Sequence, residues 1–211
     1  LSQKLKSYLE LKIPLLEQYS IDEWFGDLDG YIKDEDTLEF ITELRDDILK
    51  KFNLPITIGA SKSKWIAKLL TDRIKPFGAF ALPSDKVLDF TKNISVNEFP
   101  GVGKAIARKL QDYNVKTLGD LRSRPNLLNE YGKTGRDLFN KICGIDNENV
   151  IPNSDRKGIG ISRNFKAVQD RNEIYRRTSI LARYLSHTIS KLKLNPTTFY
   201  FKIKYEYGIK N

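Results

Sequence analysis

The chain has 211 residues, 40% hydrophobic and 30% charged, enough for one or two domains with real cores and too balanced for global disorder. A single cysteine, Cys143, excludes an intramolecular disulfide framework and a cysteine-rich zinc site, and no apolar run is long enough for a membrane helix. The net charge of +9 divides unevenly, −3 over residues 1–99 and +12 over residues 100–211, as expected of a packing or catalytic module joined to one that grips a polyanion such as nucleic acid.

Residues 1–12 read as a helix with Leu5 and Leu9 on one stripe, ended by Pro14. This opening resembles mid-domain helix rather than a secretion leader, and the sequence holds no methionine, so the chain is expected to be a fragment of something longer. Residues 15–20 and 24–29 read as two short strands around Ile21-Asp22-Glu23. Residues 34–52 form an amphipathic helix, with Leu38, Ile41, Leu44, Ile48 and Phe52 recurring at three- to four-residue steps. A strand over 54–59, a helix over 62–74, a strand over 79–82 and a short helix over 85–90 follow, an alternation that argues for a helix-backed sheet. From residue 93 the texture changes to short helices punctuated by Gly101, Gly103, Gly119, Gly132, Gly135 and Gly144. Residues 146–155 are polar and linker-like. Beyond them a strand over 159–165, a helix over 172–192 and an alternating strand over 197–207 are expected. Cys143 reads as a small buried hydrophobe, and a lone thiol suits a reducing cytosolic setting.

Asp22 and Glu23 are adjacent carboxylates set among apolar residues, where an isolated buried charge is costly. A hard divalent cation such as Mg²⁺ would neutralise them, and both can serve one site only where the backbone bends, at a hairpin tip. The alternative is an acidic, solvated turn. Phe99-Pro100-Gly101-Val102-Gly103-Lys104 places two glycines and a lysine at a helix start, where the backbone can approach a phosphate without reading bases. A mononucleotide P-loop is excluded by the spacing. Lys64 and Lys68 share one helical face and Lys75 falls at the helix end; they either neutralise phosphates or form a solvated face.

Taken together, Ser20-Ile21-Asp22-Glu23, the run from Gly59 to Lys68, Lys75-Pro76, Phe99-Pro100-Gly101-Val102-Gly103 and the run from Arg156 to Phe165 resemble the ordered motifs of the Y-family translesion DNA polymerases. Residues 162–165 lean toward the bacterial polymerase V catalytic-subunit type over polymerase IV. The resemblance implies an α/β (α+β) partial palm over 1–92, a small all-α helix-hairpin-helix thumb over 93–146, a linker over 147–155 and a partial α+β little finger over 156–211. It implies Asp22 and Glu23 as catalytic metal ligands for Mg²⁺, and Lys75 as a contact to the triphosphate. Gly101, Val102, Gly103, Lys104, Lys68 and Arg163 become DNA contacts. The implied partners are primer–template DNA, deoxynucleoside triphosphates, and a sliding clamp or regulatory subunits, in a cytoplasmic DNA-damage (SOS) setting away from membranes. The family's first metal-binding aspartate and its fingers are expected upstream of Leu1, so the 211 residues alone are expected to be inactive. Trp24 is bulkier and Gly26 smaller than the family pattern suggests. A non-catalytic helix-hairpin-helix DNA-binding module is the competing reading; a nuclease or ligase is disfavoured, with His187 read as a helix-surface residue.

Overall fold

A computed structural model of the chain describes residues 1–145, 148–152 and 158–204. The chain divides into two units, Leu1–Asn153 and Ser154–Asn211.

In the first unit, helix α1 (Ser2–Glu10) buries Leu5 and Leu9. Strands β1 (Leu15–Gln18) and β2 (Trp24–Asp27) pair antiparallel, with Leu16 opposite Gly26 and Gln18 opposite Trp24. The amides of Tyr19 and Ser20 both donate to the Glu23 carbonyl, which closes the hairpin. Gly26 makes room for Ile13, whose Cγ2 would lie 2.9 Å from a Cβ there. A 3₁₀ turn over Asp34–Asp36 leads into α2 (Thr37–Phe52), whose stripe of Ile41, Leu44 and Ile48 is buried. Asn53 stops α2 in the left-handed conformation at φ 50°, a role that asparagine tolerates. Leu5, Leu9, Leu16, Leu44 and Ile48 form one apolar core.

The next strand departs from expectation. It runs from Ile58 to Ser61 (β3) rather than over 54–59. Pro55 offers no N–H to a ladder, so pairing begins only beyond it. β3 pairs parallel with β4 (Ala79–Leu82), Ile58 opposite Ala79. Between them α3 (Lys64–Arg73) starts two residues later than expected, because Ser63 caps it by accepting from the Ile66 amide. Gly59 lets α3 press onto β3: a Cβ there would sit 2.7 Å from the Ala67 carbonyl oxygen. Among the described residues the strands form two separate two-stranded sheets rather than one. The α/β character expected for this region is present.

A 3₁₀ turn (Ser84–Lys86) and α4 (Val87–Thr91) lead into the helical region of α5 (Lys104–Asp112), α6 (Leu118–Arg122) and α7 (Gly132–Cys143). Thr117 and Asp120 form a reciprocal capping box on α6. Its backbone and side-chain donors hold the Asp120 carboxyl below its usual range. Phe99, Leu110, Val115, Leu118, Leu121 and Ile142 pack into a core that also takes in Ile66, Leu69 and Leu70 of α3. One apolar core therefore runs across residue 92. Arg122 bridges the same junction, donating to Thr91 Oγ1 at 2.5 Å and to the Leu88 carbonyl at 2.8 Å. Cys143 is half-buried rather than fully buried, and burial pushes its thiol pKa up.

In the second unit, α8 (Arg171–Lys191) is capped by Asp170, which accepts from the Asn172 amide. None of its residues is buried. Over their described residues the strands expected over 159–165 and 197–207 are absent, apart from a single bridge residue, Lys204. An alternating apolar pattern becomes a strand only with a ladder partner, and Phe199 and Phe201 remain exposed. Residues 205–207, the end of the second expected strand, lie outside the described residues, as do Arg156 and Lys157 of the motif that precedes Ile159.

Candidate functional site

Asp22 and Glu23 lie between β1 and β2, at the hairpin tip. Ser20 Oγ donates to Asp22 Oδ1 at 2.6 Å, and the Asp22 amide donates back to Ser20 Oγ at 3.3 Å. The apolar neighbours do not bury the pair as expected: Asp22 is exposed, Glu23 is half-buried and Ile21 is exposed. A tight hairpin turns its tip outward, so apolar flanks in sequence need not surround it in space.

Helix α3 brings the lysines to this tip. Lys68 Nζ lies 2.5 Å from Glu23 Oε1 and 3.9 Å from Asp72 Oδ2. Lys75 Nζ lies 2.7 Å from the other oxygen of Asp72. That hydrogen bond raises the Lys75 pKa against the opposing effect of burial, with lesser help from the fields of Asp72, Glu23 and Asp22. Lys64, one turn before Lys68, pairs with Glu17 of β1 at 2.7 Å and lies over the Phe25 ring. Lys64 and Lys68 thus staple α3 to the hairpin. Tyr19, Phe25 and Trp65 complete the staple with edge-to-face contacts at centroid separations of 5.4–6.1 Å.

Trp65 Nε1 donates to Glu148 Oε2 at 2.7 Å, and Lys141 of α7 pairs with the other Glu148 oxygen. Burial alone would raise the Glu148 carboxyl, but the hydrogen bonds from Lys141 and Trp65 hold it below its usual range. The Ile151 amide donates to Glu17 Oε2, so residues 148–151 are tied to the hairpin as well. Sequence reading missed Glu17, Asp72, Trp65 and Glu148 as parts of this network. Only Asp72 carried a legible signal, four residues after Lys68 and three before Lys75.

An open groove of about 1480 Å³ is lined by Asp22, Glu23, Lys68 and Lys75, among others. Two carboxylates are the hard-oxygen donor set that suits Mg²⁺, which binds through one or two carboxylates and completes its shell with water and phosphate oxygens. The ammonium already resting on Glu23 marks a position that favours a cation. Among the described residues no cluster of three or more His, Cys, Asp or Glu side chains could hold a metal by itself.

The glycine hairpin lies apart in sequence. Gly101 takes φ 99°, a conformation that a side chain would strain, and Gly103 precedes the first residue of α5 without a side-chain cap. The first amides of α5 are therefore free of side-chain capping beside exposed Gly101, Gly103 and Lys104. Val102 is half-buried and its amide donates to the Phe99 carbonyl, which tightens the turn. Lys109 is committed elsewhere, paired with Glu130. Arg163 is exposed in the second unit.

Residues 1–72 match the model of the impB/mucB/samB family, and residues 97–146 match that of the DNA polymerase-iota thumb domain. DNA polymerase IV of Staphylococcus aureus (strain bovine RF122 / ET3-1) is 32% identical over 193 residues, 90% of this chain and 59% of the relative. DNA polymerase IV of Shewanella oneidensis is 31% identical over 163 residues, 76% of this chain and 46% of the relative. Among solved structures, DinB from Sulfolobus solfataricus aligns with a TM-score of 0.65 and 27% identity over 72% of this chain and 46% of its own. A Y-family DNA polymerase chimera, Dbh-Dpo4(243-245)-Dbh, aligns with a TM-score of 0.63 and 28% identity over the same shares. The chain is thus similar to Y-family DNA polymerases over both matched segments. It spans about half the length of the curated relatives it matches. Asp22, Glu23 and Lys68 fall in the first matched segment, and Gly101 to Lys104 fall in the segment that matches a thumb domain. Lys75 and Arg163 fall in neither.

Proposed function

We propose that this chain supplies a partial palm (1–92), a thumb (93–146), a linker (147–155) and part of a little finger (156–211) to a lesion-bypass DNA polymerase. Its reaction is transfer of a deoxynucleotide from its triphosphate to a primer 3′-hydroxyl. The observation that carries this reading is the convergence of Asp22, Glu23, Lys68 and Lys75 on one groove, two carboxylates facing two ammonium groups. In it Asp22 and Glu23 hold Mg²⁺. The chemistry a bound Mg²⁺ supplies is a lowered pKa for the attacking hydroxyl and neutralisation of charge on the leaving pyrophosphate. Lys75 contacts the triphosphate, and Lys68 moves from Glu23 to balance the same charge. Gly101, Val102, Gly103 and Lys104 offer backbone amides and one ammonium to a duplex phosphate, contacts that position DNA without reading its sequence. Arg163 adds a phosphate contact from the little finger. The length of the polymerase IV matches favours that branch over the four-residue likeness to polymerase V. The setting is cytoplasmic, in the damage response, with a sliding clamp or regulatory subunits as recruiters. No helix among the described residues is long and apolar enough to cross a membrane.

A second reading, a non-catalytic DNA-binding module, draws on the hydrogen bonds and ion pair that already satisfy Asp22 and Glu23 from within the chain. Primer extension past an abasic site by the intact gene product separates the two. Activity that disappears in Asp22→Ala supports the polymerase; DNA binding with no extension, or extension indifferent to Asp22→Ala, supports the module.

A further inference from the structure

A chain of charge runs from Glu23 through Lys68 and Asp72 to Lys75, and Asp72 is its central link. We propose that Asp72 is a positioning residue that holds the Lys75 ammonium off the acidic hairpin tip and aims it into the groove, where it meets a polyphosphate. The inference deepens the polymerase reading and rests on it for identifying that polyphosphate as a nucleotide's.

The backbone that carries Asp72 is tightly held. Its neighbour Thr71 accepts from the Gly59 amide and donates to the Ala67 carbonyl, both at 2.9 Å, which fixes the end of α3 against β3. After Lys75 the chain folds back closely, since a Cβ on Gly78 would lie 2.4 Å from the Ile74 carbonyl oxygen. Lys75 itself has a long flexible stem and is 56% exposed. Among the described residues, Asp72 is the only carboxylate within ion-pair distance of it.

Lys68 and Lys75 line the groove, whereas Asp72 is not part of its wall. Asp72 therefore reaches a groove ligand through the lysines. An ammonium has three donors, and one given to Asp72 leaves two for phosphate oxygens. The remaining negative field at Lys75 comes from Glu23 and Asp22. Released from Asp72, Lys75 would be drawn to those carboxylates and would cover the cation position that they form.

The test is a double-mutant cycle on the 211-residue chain, titrated calorimetrically with inorganic tripolyphosphate in the absence of metal. Asp72→Asn is expected to weaken binding about fivefold, Lys75→Ala by a similar factor, and the double variant no further than Lys75→Ala alone. Asp72→Glu, which restores the carboxylate, is expected to recover most of the loss. The sign is diagnostic, because deleting a negative charge would by itself strengthen anion binding. Unchanged or tighter binding in Asp72→Asn, additive losses, or no tripolyphosphate binding by the unaltered chain would overturn the proposal. A fall in melting temperature with unchanged affinity would overturn it too, leaving Asp72 a structural residue only. In the intact gene product, Asp72→Asn should raise KM for the nucleotide with kcat nearly unchanged. Failure of the polymerase reading would appear separately, as extension absent or insensitive to Asp22→Ala, with the metal-free cycle still interpretable.

Discussion

Lys64 and Glu17 form a 2.7 Å ion pair whose side chains are only 9% and 17% exposed. The pair joins α3 to the strand that leads into the acidic tip, and it sits against the Phe25 ring. Two largely desolvated charges depend on each other, so removing one leaves the other uncompensated. Lys64→Ala is expected to lower the unfolding free energy of the chain by about 3 kcal/mol in urea titration, whereas Glu17→Leu with Lys64→Met together should cost far less. A double variant as unstable as the single one would count against this account.

Gly59 sets how closely α3 approaches β3, and through α3 it sets where Lys68 stands. A methyl at Gly59 meets the Ala67 carbonyl oxygen and Thr71 Oγ1, both at 2.7 Å, with backbone on one side that cannot rotate away. Gly59→Ala should therefore destabilise by about 2 kcal/mol, read as a lowered midpoint in thermal unfolding followed by circular dichroism. An unshifted midpoint would show that the helix slides freely on the strand.

The thumb lysines should differ in their effect on DNA. Lys104 is exposed beside the open glycine turn, while Lys109 is held by Glu130. Lys104→Ala is expected to reduce the slope of log affinity against log salt by about 0.9, the loss of one phosphate contact. Lys109→Ala should change the slope much less. Fluorescence anisotropy with a labelled primer–template at several salt concentrations reads both; equal effects would remove the distinction drawn from the Glu130 pair.

In α8, hydrogen bonds from Arg176 and then Arg177 hold the Glu173 carboxyl at about 2, down from 4.5. A carboxylate with a depressed pKa contributes stability that is present above its unfolded value and lost as pH falls toward its folded value. Helix content in the second unit should therefore decline as pH drops from about 4.5 to about 2. Glu173→Gln should flatten that decline. Carbon-detected NMR titration of the Glu173 carboxyl gives the direct check, and a midpoint near 4.5 would refute the bidentate arrangement.

Local pattern was enough wherever one residue's neighbours along the chain decide its environment. The three- to four-residue apolar spacing from Leu38 to Phe52 specifies α2, and the turn between two short apolar runs specifies the hairpin that carries Asp22 and Glu23. Gly101 and Gly103 before an amphipathic run likewise specify the entrance to α5. Pairing across the fold was not legible. Pro55 moved the start of β3, because a ladder counts available donors rather than apolar residues. Lys64 and Lys68, which spacing alone leaves equally suited to solvent or phosphate, were assigned to Glu17 and Glu23 by the approach of α3 to the hairpin. Glu148 met Trp65 across 83 residues, a distance over which no periodicity carries information. Helices and turns are thus written in short-range sterics and hydrogen bonding, while the partner of a charged side chain depends on which surfaces the apolar cores bring together.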